Sequence, residues 1–212
     1  MPGPPDARRR GHVRRARRVR RPGLSALGDQ LRPLLLSPEA AARLDARGRV
    51  DAAVLVPLYR HDGRLHAVFT RRRDDLRRHA GEISFPGGRQ DEGEEDLRLT
   101  ALREAEEEIG LPRDAVELVG ALAPTPTVVT NYAIHPFVGA IEPGHRWLPS
   151  AAEVAEVLEI ALPDLVAARE RKRLVRRGVP FRTDVYTVEG NVIWGATARI
   201  LSDLLERLEP VL

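Results

Sequence analysis

Four carboxylates fall within five residues of Arg103-Glu104-Ala105-Glu106-Glu107-Glu108-Ile109-Gly110-Leu111. Thr100 to Ile109 lacks Gly and Pro and is rich in helix formers, which predicts a helix. Gly110 and Pro112 then stop it. Residues three and four apart are neighbours on a helix, so Glu104, Glu107 and Glu108 share one stripe. Leu102, Ala105 and Ile109 are expected on the other, and Glu106 points away from both. Like charges on one stripe repel, and a cation between them removes that cost. Hard oxygen ligands suit Mg²⁺ or Mn²⁺. Just upstream, Phe85-Pro86-Gly87-Gly88 reads as a tight turn whose backbone can approach a ligand closely. Before it lies a basic stretch with Arg71, Arg72, Arg73, Arg77, Arg78 and His79. Arginine forks suit phosphate oxygens.

In sequence, Gly88, Glu94, Arg103-Glu104, Glu107-Glu108 and Gly110-Leu111 resemble the Nudix box, Gly-x5-Glu-x7-Arg-Glu-U-x-Glu-Glu-x-Gly-U, with U apolar. Eight residues rather than seven separate Glu94 from Arg103. Either the loop carries an extra residue, or Glu95 takes the box position and leaves Arg89 in the glycine's place. The stretch Thr70-x-Arg72-x3-Leu76-Arg77-x-His79-x-Gly81-x-Ile83-x-Phe85-Pro86-Gly87-Gly88 resembles the signature of the coenzyme A pyrophosphatase branch. That branch also tends to carry the extra loop residue. Glu153-Val154-Ala155-Glu156-Val157 and Ile193-Trp194-Gly195-Ala196-Thr197-Ala198-Arg199-Ile200-Leu201 resemble further stretches of it. The resemblance runs from about residue 50 to 205.

The resemblance implies an α/β/α sandwich around a mixed β-sheet. It implies metal-dependent hydrolysis of the diphosphate of coenzyme A, or of acyl-CoA, to adenosine 3′,5′-bisphosphate and (acyl-)4′-phosphopantetheine. It implies Glu104, Glu108 and Glu107 as metal ligands, joined by the backbone of Gly88. Glu107 is also a candidate base. Glu153 and Glu156 are candidates for a further acid outside the box. Arg103 is expected to orient the glutamates, and Arg72, Arg77 and His79 to meet the anionic groups of the substrate. Two other readings stay open. One is hydrolysis of a different nucleoside diphosphate derivative, such as ADP-ribose or NADH. The other is a nucleic-acid-associated protein without catalysis, using its basic tail.

Composition narrows these readings. The chain has 212 residues and no cysteine, which excludes disulfides and thiol chemistry. No run of 18 apolar residues exists, so no membrane span is expected and the cytoplasm is the expected compartment. The net charge is +3, but residues 1–22 alone hold nine Arg against one Asp, leaving −5 elsewhere. Residues 1–23 therefore read as a disordered Arg-rich tail, with a binding arm or a targeting peptide as alternatives. Residues 24–212 read as one domain. Its acidic balance argues against nucleic acid as a partner. A small molecule is the expected partner, and a homodimer stays open.

The elements that must position these residues follow from periodicity and turn signals. Residues 24–47 read as helical, capped at Ser37-Pro38. Strands are expected at Val50–Tyr59, Leu65–Thr70, Glu82–Phe85, Val116–Leu122 and Tyr132–Ile141, with a hairpin at Asp62-Gly63. Arg71–Ala80 reads as a loop. Glu153–Leu162 fits either strand or helix. Leu165–Arg177 reads as helical, Phe181–Val188 and Asn191–Trp194 as strands, and Ala196–Leu208 as an amphipathic helix.

Overall fold

The computed structural model describes residues 22–44, 48, 50–76, 79–94, 96–127, 131–176 and 179–212. The hairpin signal is met: strands β1 (Val50–His61) and β2 (Arg64–Arg72) pair antiparallel around Asp62-Gly63. Both turn residues have positive φ, as a two-residue hairpin requires. β3 (Ile83–Ser84) pairs with β2, and β4 (Gly87–Arg89) with β1. β5 (Glu117–Ala121) and β6 (Thr125–Pro126) both pair with β7 (Tyr132–Ala140). β7 runs parallel to β1, so the sheet is mixed, with central order β3-β2-β1-β7-β5. β8 (Val154–Ala161) pairs with β2, which settles the ambiguous segment as a strand.

Alternation along β1 decides which layer packs where. Val56 and Leu58 join Leu27 and Leu31 of helix α1 (Pro22–Leu31), with Leu201, Leu204 and Leu208 of the C-terminal helix Gly195–Leu208. Ala53 and Leu55 face the other way, onto Ala101, Ala105 and Ile109 of the acidic helix. Helices thus cover both faces, which is the expected α/β/α sandwich. β2 obeys the same alternation: Phe69 lies on the α1 side and Val68 on the acidic-helix side.

Three expectations are corrected. The segment 24–47 is not one helix. α1 is followed by a 3₁₀ turn at Arg32–Leu34 and a short helix, α2 (Pro38–Ala42), whose N-cap Ser37 accepts from Ala40 N at 3.1 Å. Arg71 and Arg72, read as loop, belong to β2. The segment 165–177 is not helical beyond a short helix, α4 (Leu162–Ala167). It continues as strand β9 (Arg169–Arg176), the edge of an antiparallel sheet with β10 (Val179–Val188) and β11 (Asn191–Ile193). A polar, Arg-rich run has no strong period of its own, and pairing with β10 decides its state. The acidic helix is α3 (Leu97–Ile109) and the C-terminal helix is α5 (Gly195–Leu208). No helix among the described residues is long and apolar enough to cross a membrane.

Phe69 is fully buried and stacks on Phe85 at 4.6 Å between centroids. Phe69→Ala is expected to lower unfolding stability by about 3–5 kcal/mol, read from urea unfolding at constant m-value. A loss below about 1 kcal/mol would mean that this pair does not anchor the sheet to the Phe85-Pro86-Gly87-Gly88 turn.

Candidate active site

α3 begins three residues earlier than expected because Asp96 caps it, its carboxylate accepting from Arg98 N at 3.0 Å. It ends at Gly110 in the left-handed region, φ 69°, where the Gly110 N–H reaches Ala105 O and Glu106 O. Its buried stripe is Thr100, Ala101, Ala105, Glu108 and Ile109. Glu108 therefore lies within the sheet-facing side rather than opposite it, only 6% exposed. Glu104, one turn earlier, flanks that stripe. Glu107 points outward, with its side chain 59% exposed.

The two glycines beneath the helix have separate steric reasons. β4 crosses β1 with Gly87 opposite Val54 and Gly88 opposite Ala53. A side chain at Gly87 would collide with the β1 backbone, and one at Gly88 with the Glu104 carboxylate. Gly87 N–H donates to Glu108 Oε2 at 3.3 Å. The turn thus places backbone against two carboxylates on adjacent helical turns.

Arg103 holds the acidic array from one side. Its guanidinium donates to Glu94 Oε1 (3.1 Å), Glu104 Oε1 (2.9 Å), Glu107 Oε2 (3.1 Å) and Arg89 O (3.2 Å). Glu94 also accepts from Thr100 Oγ1 at 2.7 Å and from Asp91 N at 3.2 Å. The Arg103 and Thr100 bonds hold its carboxyl down at about 2. Glu94 thus organises Arg103. The register with an extra residue in the loop before α3 gives Glu94 this contact with Arg103. Glu95 lies outside the described residues.

From the sheet side, Arg72 and Glu153 complete the surroundings. Arg72 Nη2 lies 3.3 Å from Glu153 Oε2, and its buried Nε has no hydrogen-bond partner among the described residues. Arg72 shares the α3-facing side of β2 with Val68, and its charge acts on Glu108. Glu153 stands just before β8, where its carbonyl accepts from Arg73 N at 3.0 Å, and its charge is felt by both Glu104 and Glu108.

Other expected residues fall elsewhere. Arg71 points to the opposite face from Arg72 and pairs with Glu156 at 2.8 Å, so Glu156 does not join the carboxylate group. His79 adopts a left-handed φ of 57° and bonds Glu82 at 2.6 Å, closing its own loop. Arg77 lies outside the described residues. Sequence reasoning missed the cap at Asp96 and the ion pair of Asp91 with Arg103 at 3.3 Å. The Asp-Leu-Arg-Leu-Thr run carried a readable cap signal; the Asp91 contact had none.

Burial first, then the nearby Glu104 charge, push the Glu108 carboxyl up to about 8, against the opposing Gly87 N–H and Arg72. Burial also raises Glu104, opposed by Arg103, with Glu107 and Glu153 adding to the rise. Among the described residues no three Asp, Glu or His side chains form a ready-made metal cluster. A buried and a half-buried carboxylate that repel each other beside a close-approach glycine still fit a hard divalent ion. Mg²⁺ takes one or two protein carboxylates and keeps several waters.

The model for the NUDIX domain matches residues 49–179, and the chain belongs to the Nudix hydrolase family. It is 36% identical over 174 residues to the uncharacterized Nudix hydrolase NudL of Photorhabdus laumondii, covering 81% of this chain and 91% of that protein. It is 39% identical over 156 residues to the NudL of Salmonella paratyphi B, covering 73% and 80%. Among solved structures, a MutT/nudix family protein from Enterococcus faecalis matches with a TM-score of 0.51 at 13% identity. That match covers 78% of this chain and 64% of that one, and is a likeness of fold.

A group whose folded pKa is raised keeps its proton in the fold after the unfolded chain has lost it. Stability therefore falls as pH rises between those two values. For Glu108 the window runs from the ordinary 4.5 to about 8. In the presence of a chelator, the melting temperature is expected to fall across that window. Glu108→Gln should flatten the fall and raise the melting temperature at pH 8. An unchanged slope in that variant would show that other groups set the pH dependence.

Proposed function

We propose that the chain is a metal-dependent coenzyme A pyrophosphatase. It hydrolyses coenzyme A or acyl-CoA to adenosine 3′,5′-bisphosphate and (acyl-)4′-phosphopantetheine. That it is a Nudix hydrolase acting on a nucleoside diphosphate derivative is the broader statement on which this rests. The observation that carries the chemistry is the pair of half-buried Glu104 and buried Glu108, set against Gly87-Gly88 with Arg72 and Glu153 beside them. What supports coenzyme A as the substrate is the resemblance of the Thr70 to Gly88 stretch to the signature of that branch.

Glu104 and Glu108, with the Gly88 carbonyl, would hold Mg²⁺ or Mn²⁺. A bound ion supplies charge neutralisation at the diphosphate and a polarised water. The remaining work falls to side chains. Arg103 fixes the rotamers of Glu104 and Glu107 through its fork and is itself held by Glu94, so it is a positioning residue. Arg72 binds a non-bridging oxygen of the diphosphate through Nη2, the donor that otherwise serves Glu153. The diphosphate then competes with Glu153 for Arg72. The released carboxylate is free to take a proton from the attacking water. Glu107 is the second candidate base, but Arg103 holds it outward.

Hydrolysis of ADP-ribose or NADH stays the second reading, because the carboxylate pair and Arg72 act on the diphosphate that these compounds share with coenzyme A.

The test is a substrate panel with Mg²⁺ or Mn²⁺, scored by product mass. Coenzyme A is expected to be cleaved faster than ADP-ribose and NADH; the reverse order would move the assignment to the second reading. Glu104→Gln and Glu108→Gln should each lower kcat by orders of magnitude while remaining folded, and near-full activity in either would overturn the ligand pair. Arg72→Ala should lower kcat/KM by roughly ten- to a hundredfold, equally for coenzyme A and its 3′-dephospho form, since a charge-assisted hydrogen bond contributes about 1.5–3 kcal/mol. A loss confined to coenzyme A would put Arg72 on the 3′-phosphate instead.

A further inference from the structure

The β9–β10 hairpin carries a charge arrangement that the hydrolytic site does not use. Antiparallel register puts Arg173 directly opposite Arg182, and Arg171 opposite Asp184. Side chains directly opposite share a face, and residues two apart on one strand do as well. Arg171, Arg173 and Arg182 therefore cluster on one face, and all three are exposed. The single acid among them, Asp184, is already engaged by Arg169 at 2.9 Å and by Ser202 at 3.0 Å. Among the described residues, Arg173 and Arg182 make no hydrogen bond or ion pair, and like charges directly opposite destabilise a sheet. On the other face of the same strand, Lys172 is bound to Glu170 at 3.0 Å.

An unbalanced arginine pair at the edge of a sheet is a poor stabilising device and a good anion receptor. All three groups are arginine, whose planar fork matches phosphate oxygens. Arg171 and Arg173 stand roughly 6–7 Å apart along an extended strand, presenting cations in a row rather than in a pocket. A row suits a linear polyanion better than a single phosphate group. Val175, on the same face and 68% exposed, offers an apolar surface beside the row. A lone valine is little for insertion into a bilayer, where Trp, Phe and Leu are the usual anchors. It is adequate for contact with an unstacked base. We infer that this face of the β9–β10 hairpin binds the phosphate backbone of a single-stranded nucleic acid. The acidic balance of residues outside the tail argues against this only on average; the charge that matters is local.

The test uses the full chain and a fluorescein-labelled oligouridylate of twenty nucleotides, followed by anisotropy over a range of salt concentrations. Arg173→Ala/Arg182→Ala removes two phosphate contacts. At about 0.7 of log-log salt slope per contact on single strands, the slope should become shallower by ~1.4, with binding about ten- to thirtyfold weaker at 0.1 M salt. Lys172→Ala, on the other face and paired with Glu170, should stay within about twofold of the parent. The Arg-rich first 21 residues are common to all variants, so a difference between them reports on the hairpin. Turnover and melting temperature should not fall, because the change relieves repulsion. An unchanged salt slope would overturn the inference. So would loss of binding to phosphatidylserine vesicles with RNA binding intact, which would make the partner a membrane. A drop in turnover equal to the drop in RNA affinity would also overturn it, placing the cluster in the substrate site.

Discussion

The contact on which the site depends is that of two carboxylates with two glycines. Glu104 and Glu108 lie one turn apart on a helix whose inner face is packed against the sheet, so neither can swing freely into water. Gly88 lets backbone come against Glu104, and Gly87 lets β4 lie on β1 while offering its N–H to Glu108. A side chain at Gly87 would push β4 from β1, and one at Gly88 would push the turn from the helix. The arrangement puts two carboxyl groups where solvent is scarce, and the raised Glu108 pKa reflects the cost of ionising one there. Such tension is common where a fold prepares a ligand site instead of maximising its own stability.

The rest of the molecule contains this tension. Ala101, Ala105 and Ile109 clamp α3 onto Ala53 and Leu55, while Phe85 stacks on Phe69 and anchors the start of the glycine turn. Arg103 spans Glu94, Glu104, Glu107 and a backbone carbonyl, so four acceptors are fixed through one guanidinium. Its side chain is only 14% exposed, which makes these bonds stronger than their surface counterparts. Glu94 is ionised over the whole working pH range, so Arg103 keeps its anchor whatever the protonation state of the buried pair.

Strand alternation separates the two anion-handling regions. Arg72 faces α3 and the carboxylates, whereas Arg71, its chain neighbour, faces the opposite way to Glu156. A single-residue slip in β2 would exchange them. The bulge between Arg71 and Arg72 in the pairing with β8 brings Glu153 alongside Arg72. The β9–β10 hairpin belongs to a separate three-stranded sheet, so its arginines can serve another ligand without disturbing the carboxylates.

Much of this was legible in the chain alone. The acidic helix, its stop at Gly110, the Asp62-Gly63 hairpin and the C-terminal amphipathic helix rest on local chemistry: propensity, periodicity and turn geometry. The nearness of Glu104 to Glu108 is equally local, being one helical turn. Three things needed the tertiary structure. Which side of α3 is buried was decided by the sheet, and it enclosed Glu108 among the apolar residues. That Glu94 holds Arg103 depends on how the loop folds back over the helix. Arg169 to Arg176 became a strand because β10 supplied a partner, for no period within that polar run distinguishes strand from helix. Local sequence sets what a segment can do at a distance of three or four residues. Burial, register and charge pairing across 50 or 80 residues are settled only when the sheet brings those segments together.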